Sequence, residues 1–142
     1  TPNVPSSRGF EAMGASGDGR YLYPVVEGQL VDDPVERRRW IYEYDTTAGA
    51  YTGQRWAYQV DQPGDVVGDA FVTGRHRMLL VERDDLEGPA AVIKRVYRVD
   101  LDDTDADGFV AKELRLDALA IDNPDLIGAD DGYGTGREWS LP

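Results

Sequence analysis

Residues 9–61 and 64–117 carry two copies of one pattern, and that repeat constrains the fold more than any other feature of the chain. Arg-Trp-Ile-Tyr-Glu-Tyr-Asp, Arg39 to Asp45, lines up with Lys-Arg-Val-Tyr-Arg-Val-Asp, Lys94 to Asp100, 55 positions later. Val25-Val26-Glu27 lines up with Leu80-Val81-Glu82, and Asp18-Gly19-Arg20 with Thr73-Gly74-Arg75. Each copy contains about four apolar, β-branched or aromatic runs separated by turn residues, which is the form of a β-propeller blade. The expected fold is therefore all-β: about two blades of a β-propeller, an incomplete propeller fragment. The plainer alternative is a small antiparallel sheet domain that closes on itself.

Within the first copy the runs Phe10–Ser16, Arg20–Val26, Trp40–Tyr44 and Arg55–Val60 read as strands, with loops at 28–38 and 46–53. Their content of Tyr, Val, Ile and Trp suits a pleated, half-buried surface. Within the second copy Val66–Val72, Arg77–Glu82, Ala91–Leu101 and Phe109–Leu116 take the same places, with an acidic loop at Asp102–Gly108. Residues 118–142 read as a connecting tail. A short helix is expected at Ala118–Ala129, cut short by Pro124, followed by a Gly-rich stretch leading to Trp139 and Leu141.

A formal charge of −12 disfavours direct binding to nucleic acid or to an anionic membrane, because both need clustered Lys and Arg. The chain has no cysteine, so disulfides and thiolate metal sites are out of the question. No apolar stretch approaches the roughly 20 residues of a membrane span. His76 is the one histidine, which excludes multi-histidine metal centres, and its place beside Arg75 in a turn suggests an ordinary exposed side chain.

Gly9-Phe10-Glu11-Ala12-Met13, then Ser16, Asp18-Gly19-Arg20, Leu22 and Glu27, form an ordered set of short motifs. Leu80-Val81-Glu82-Arg83-Asp84 and Lys94-Arg95-Val96-Tyr97-Arg98-Val99-Asp100-Leu101 continue it. In order and spacing this set resembles the phytase-like family, also described as the esterase-like activity of phytase, over roughly residues 8–128. Ala12 stands where that family has glycine. The resemblance implies a propeller-like fold, an exported protein (secreted, periplasmic or on the cell surface) and hydrolysis of an ester or phosphate ester.

Several carboxylates and cations are candidates for that chemistry. Glu11 and Glu82 are expected as catalytic groups or metal ligands, Arg83 as a charge stabiliser, and Lys94 and Arg95 as contacts to an anionic substrate. Glu11, Glu27 and Glu82, if they converge near a propeller axis, suit calcium, a hard cation that prefers oxygen ligands. Asp103, Asp105 and Asp107 match the first half of a D-x-D-x-D-G calcium loop, but Leu114 occupies the position where an EF-hand needs Glu. The competing functional class is a non-catalytic binding or assembly module. Two blades alone leave sheet edges and apolar faces open, so the remainder of a propeller or a second chain is the expected partner.

Overall fold

The computed structural model describes residues 3–122, and these form two four-stranded antiparallel sheets joined by a short connection. Sheet 1 is a meander of β1 (Phe10–Ala15), β2 (Tyr21–Val26), β3 (Arg38–Asp45) and β4 (Ala50–Gln59). Sheet 2 repeats it with β5 (Val66–Gly74), β6 (Arg77–Arg83), β7 (Lys94–Thr104) and β8 (Val110–Asp117). Single turns of 3-10 helix at Gly88–Ala90 and Ala118–Ala120 are the helical elements of the described residues.

Three of the four tight hairpins, those joining β1 to β2, β3 to β4 and β7 to β8, turn on the same chemistry. An Asp carboxylate accepts backbone N–H groups within the turn, and a glycine with positive φ closes it. Asp18 accepts from Arg20 N at 3.0 Å beside Gly19 at φ 71°. Asp45 accepts from Thr47 N and Ala48 N beside Gly49 at φ 64°. Asp105 accepts from Asp107 N and Phe109 N beside Gly108 at φ 83°. The hairpin between β5 and β6 lacks this device and places His76 at φ 57°, a conformation rare for a side chain with a Cβ.

Several boundaries differ from the sequence expectation, among them the end of β7, which runs to Thr104 through the first residues of the expected acidic loop. β4 starts at Ala50 rather than Arg55, because the Asp45 turn needs only four residues and the irregularity at Gly53 is absorbed as a shift in register. β7 starts at Lys94 rather than Ala91, because the Asp84 carboxylate takes the N–H groups of Val92 and Ile93 before pairing begins. The expected helix at Ala118–Ala129 is one 3-10 turn capped by Asp117, and the glycine-rich tail with Trp139 and Leu141 lies outside the described residues.

The sheets pack face to face with first strands side by side. β1 and β5 run in the same direction: Val67 N donates to Glu27 O at one end, and Gly14 meets Val72 at the other. A Cβ on Gly14 would lie 2.6 Å from Val72 Cγ2, so this close approach requires glycine. Ala12, Tyr23, Val25, Ile41 and Tyr58 of sheet 1 and Val67, Met78, Leu80, Tyr97 and Val99 of sheet 2 form one continuous core between them.

The hydrogen-bond register matches the two sheets position by position. Arg39 and Lys94, 55 residues apart, are both buried cations at the start of a third strand. With that offset Ile41 matches Val96, Tyr42 matches Tyr97 and Tyr44 matches Val99. Val25 lies opposite Ile41, and Val81 opposite Val96. Val25 therefore matches Val81, Val26 matches Glu82, and Glu27 matches Arg83. The sequence likeness of Val25-Val26-Glu27 to Leu80-Val81-Glu82 is one residue out of step with the structure.

Candidate functional site

At one rim of the molecule β2 and β6 end while β1, β5 and β7 begin, which gathers most of the residues singled out in the sequence. The main chain fixes this rim through Glu27 N to Gly9 O at 2.7 Å and Gly28 N to Arg8 O at 3.0 Å. Glu27 and Arg83, matched positions of the two sheets, meet here: Glu27 Oε1 accepts from Arg83 Nη2 at 3.1 Å. Arg83 also donates to Asp85 at 2.7 Å, and Arg8 pairs with the same Asp85. Gly68 leaves room for the guanidinium, since a Cβ there would stand 3.2 Å from Arg83 Nε.

The Glu27 carboxyl is buried, and burial pushes its pKa up. Arg83 opposes that shift, while the charges of Glu11 and Asp85 add to it. Glu11 itself is exposed on β1. The rim thus holds one carboxyl with raised proton affinity beside a guanidinium that still presents a third of its side chain to solvent.

Glu82 faces the other way, into the space between the sheets, with no exposed surface. It accepts from Tyr58 Oη at 2.6 Å, Asp61 N at 2.6 Å and Lys112 Nζ at 3.0 Å. Lys112 also donates to Asp61 at 2.7 Å and lies over the rings of Tyr58 and Tyr97. Asp61 in turn accepts from Arg95 at 2.8 Å and Tyr97 Oη at 2.6 Å, and Arg95 reaches Asp117 at 3.0 Å. Burial works to raise Asp61, but Lys112, Tyr97 and Arg95 prevail and hold it down at about 2. Burial, then the bond to Asp61, pushes the Tyr97 hydroxyl up to about 12. Burial and the neighbouring Glu82 raise Tyr58 further still. The cluster is a satisfied polar seam between the sheets.

Lys94 is buried and donates to Asp84 O, Asp84 Oδ1 and Leu86 O at 2.7–2.9 Å, so all three of its protons are committed to the loop before its own strand. The expected anion contacts of Lys94 and Arg95 are thus internal: Arg95 bridges Asp61 and Asp117. Among the described residues no three carboxylate or imidazole groups come together closely enough to hold a metal ion. Donors already engage the carboxylates expected to hold calcium: Glu82 accepts three hydrogen bonds, Glu27 Oε1 accepts from Arg83, and Asp105 Oδ1 accepts from two main-chain amides of its turn. Asp103 and Asp107 flank that turn as exposed side chains.

Sequence reasoning missed Tyr58, Asp61, Tyr97 and Lys112, whose meeting depends on how the sheets dock, a fact no local pattern carries. It also took His76 for a plain turn residue. The ring is instead packed against Trp56, 2.6 Å from Asp102 and 3.6 Å from the buried Glu43 of sheet 1.

Comparison with known proteins gives one result that bears on these residues. The family model described as "Phytase-like: Esterase-like activity of phytase" matches residues 1–135. No curated protein and no solved structure matches the chain.

Proposed function

The chain belongs to the phytase-like family, and from that membership we propose that it forms two blades of a propeller whose rim takes part in hydrolysing an ester or phosphate ester. One observation carries the reading: Glu27 and Arg83 come from different sheets and meet at 3.1 Å, with the carboxyl's proton affinity raised beside a part-exposed guanidinium. A carboxylate whose proton affinity is raised by burial is a stronger general base than a free one. Glu27 takes a proton from water, the hydroxide attacks the ester carbon or phosphorus, and the leaving alkoxide recovers the proton. Arg83 faces the negative charge that develops on the attacked group. Export, implied by the family resemblance, belongs to the same proposal.

The test is hydrolysis of chromogenic carboxylic and phosphate esters by the purified chain. Glu27→Gln and Arg83→Met are each expected to lower kcat/KM by about 10²–10³-fold, with circular dichroism verifying that each variant is folded at the assay temperature. Because Glu27 acts ionised, the rate rises with pH through its pKa. Glu11→Gln removes a repelling charge and moves that rising limb to lower pH. Unchanged turnover in Glu27→Gln sinks the proposal.

A further inference from the structure

Consecutive residues at the end of β6 send their side chains to different places. Glu82 enters the seam, and Arg83 reaches Glu27 across the rim. Asp84 instead builds the loop that follows. Its Oδ2 accepts from Val92 N and Ile93 N, and its own N–H donates to Ile93 O at 3.1 Å. The buried Lys94 ammonium takes Asp84 O, Asp84 Oδ1 and Leu86 O. Asp85 thus stands between two residues that are both tied to one buried cation, which leaves its backbone little freedom.

The Asp85 carboxylate is shared by two arginines. Oδ1 accepts from Arg83 Nη1 at 2.7 Å, and Oδ2 accepts from Arg8 Nη2. Arg8 arrives from the segment before β1, where it holds φ 66°, a conformation rare for a residue with a Cβ. Its carbonyl accepts from Gly28 N, and a Cβ on Gly28 would lie 2.8 Å from that of Arg8, so the residue after Glu27 must be glycine for Arg8 to sit here. Arg83 is consequently held at both terminal nitrogens: Nη1 by Asp85 and by Asp84 O at 3.3 Å, Nη2 by Glu27 at 3.1 Å. Among the described residues its Nε–H and second Nη2–H remain, neighbouring donors that suit two oxygens of one attacked group.

We propose that Asp85 is a positioning residue for the rim: it fixes the Arg83 guanidinium against Glu27, so that the remaining donors stay aimed at the charge developing on the substrate. Arg8 steadies Asp85 at its carboxylate, and Lys94 steadies the backbone on both its sides. The inference rests on the reading of Glu27 and Arg83 as the reacting pair. Asp85 touches neither the water nor the ester in that scheme and acts through Arg83. Its charge also bears on Glu27. The charged groups around that carboxyl are Arg83, Glu11, Asp85 and Arg8, of which Asp85 raises its proton affinity and Arg8 lowers it. Asp85→Asn therefore moves the rising limb of the rate to lower pH, and Arg8→Gln moves it to higher pH.

Asp85→Ala is expected to lower kcat/KM by about 10–10²-fold, the loss that a misplaced group brings. In a chain that already carries Arg83→Met it is expected to bring no further loss. Nitrogen NMR of the arginine side chains in isotope-labelled protein reads the position itself, with Arg83→Met identifying the Arg83 signals. Separate Nη signals in the wild type are expected to merge in Asp85→Ala as the guanidinium turns freely, while the amide spectrum verifies that the variant is folded. Arg83 Nη signals that are already merged in the wild type, or unchanged in Asp85→Ala, overturn the proposal; so does a loss of rate that adds in full to that of Arg83→Met. The NMR arm needs no turnover, so it decides the role of Asp85 even if Glu27→Gln leaves the ester assay unchanged and the site reading falls. Full activity in Asp85→Ala beside lost activity in Glu27→Gln and Arg83→Met keeps that reading and sinks this one.

Discussion

Glu82→Ala is expected to destabilise the chain by about 3–5 kcal/mol, the cost of breaking a buried charge pair by removing one partner. The carboxylate has no exposed surface and takes three donors, two of which, Tyr58 Oη and Asp61 N, belong to the other sheet or its exit. Its loss leaves the tyrosine hydroxyl and the Asp61 amide without their acceptor, and leaves Lys112 with Asp61 as its remaining carboxylate partner. Glu82→Gln keeps shape and one acceptor, so its cost is smaller. Removing the orphaned ammonium as well, in Glu82→Ala/Lys112→Met, is expected to cost clearly less than the two single changes added together. Urea titration measures all four proteins. Strict additivity would show that the ammonium and the carboxylate do not act as a pair.

Arg39→Met is expected to cost on the order of 3 kcal/mol, from buried carbonyls left unpaired at about 1–3 kcal/mol each. The guanidinium is 1% exposed, and its hydrogen bonds go to main-chain oxygens. Nε and Nη2 both reach Asp65 O, Nη2 also reaches Pro63 O, and Nη1 reaches Glu36 O and Arg38 O, over 2.6–3.1 Å. Burial lowers its pKa, but from so high a starting value that it stays charged. The fork geometry ties the segment between the sheets to the loop before β3. Arg39→Lys is expected to recover less than half the loss, because a point ammonium cannot span that set of acceptors. Hydrogen exchange localises the effect: protection should fall first at Val60 and Asp65, whose amides bond to Arg37 O and Gln62 O in the same segment. Unchanged protection there would remove Arg39 from this role.

All eight strands could be read from the chain because tyrosine, valine and isoleucine runs alternate with Asp-Gly turns, and both signals are local. The packing of the sheets could not. In a strand a one-residue slip turns every side chain to the opposite face. Glu27 and Glu82 look equivalent in sequence and are offset by one in the register, so one sits on the rim and the other in the seam. Likewise Lys94 and Arg95 announce positive charge, but their neutralising partners Asp84, Asp61 and Asp117 arrive from 10, 34 and 22 residues away. Of the expected site, Glu27 and Arg83 come together and Glu11 influences them through space. The acidic loop serves its own turn.

The meander within each sheet has a consequence for how the chain reaches this state. Every strand pairs only with its neighbour in sequence, so each half gathers its contacts through short loop closures that carry little entropic cost. The contacts Tyr58 to Glu82, Glu27 to Arg83 and Glu43 to His76 all join one sheet to the other, so they are expected to form last, when the halves meet. Bonds made at that last step are absent from an earlier barrier, and weakening them quickens unfolding while leaving the rate of folding nearly untouched. Stopped-flow traces of Glu82→Gln are the place to read it: a slowed refolding limb would mean that docking comes early. The seam is then a lock on lifetime more than a guide to the fold.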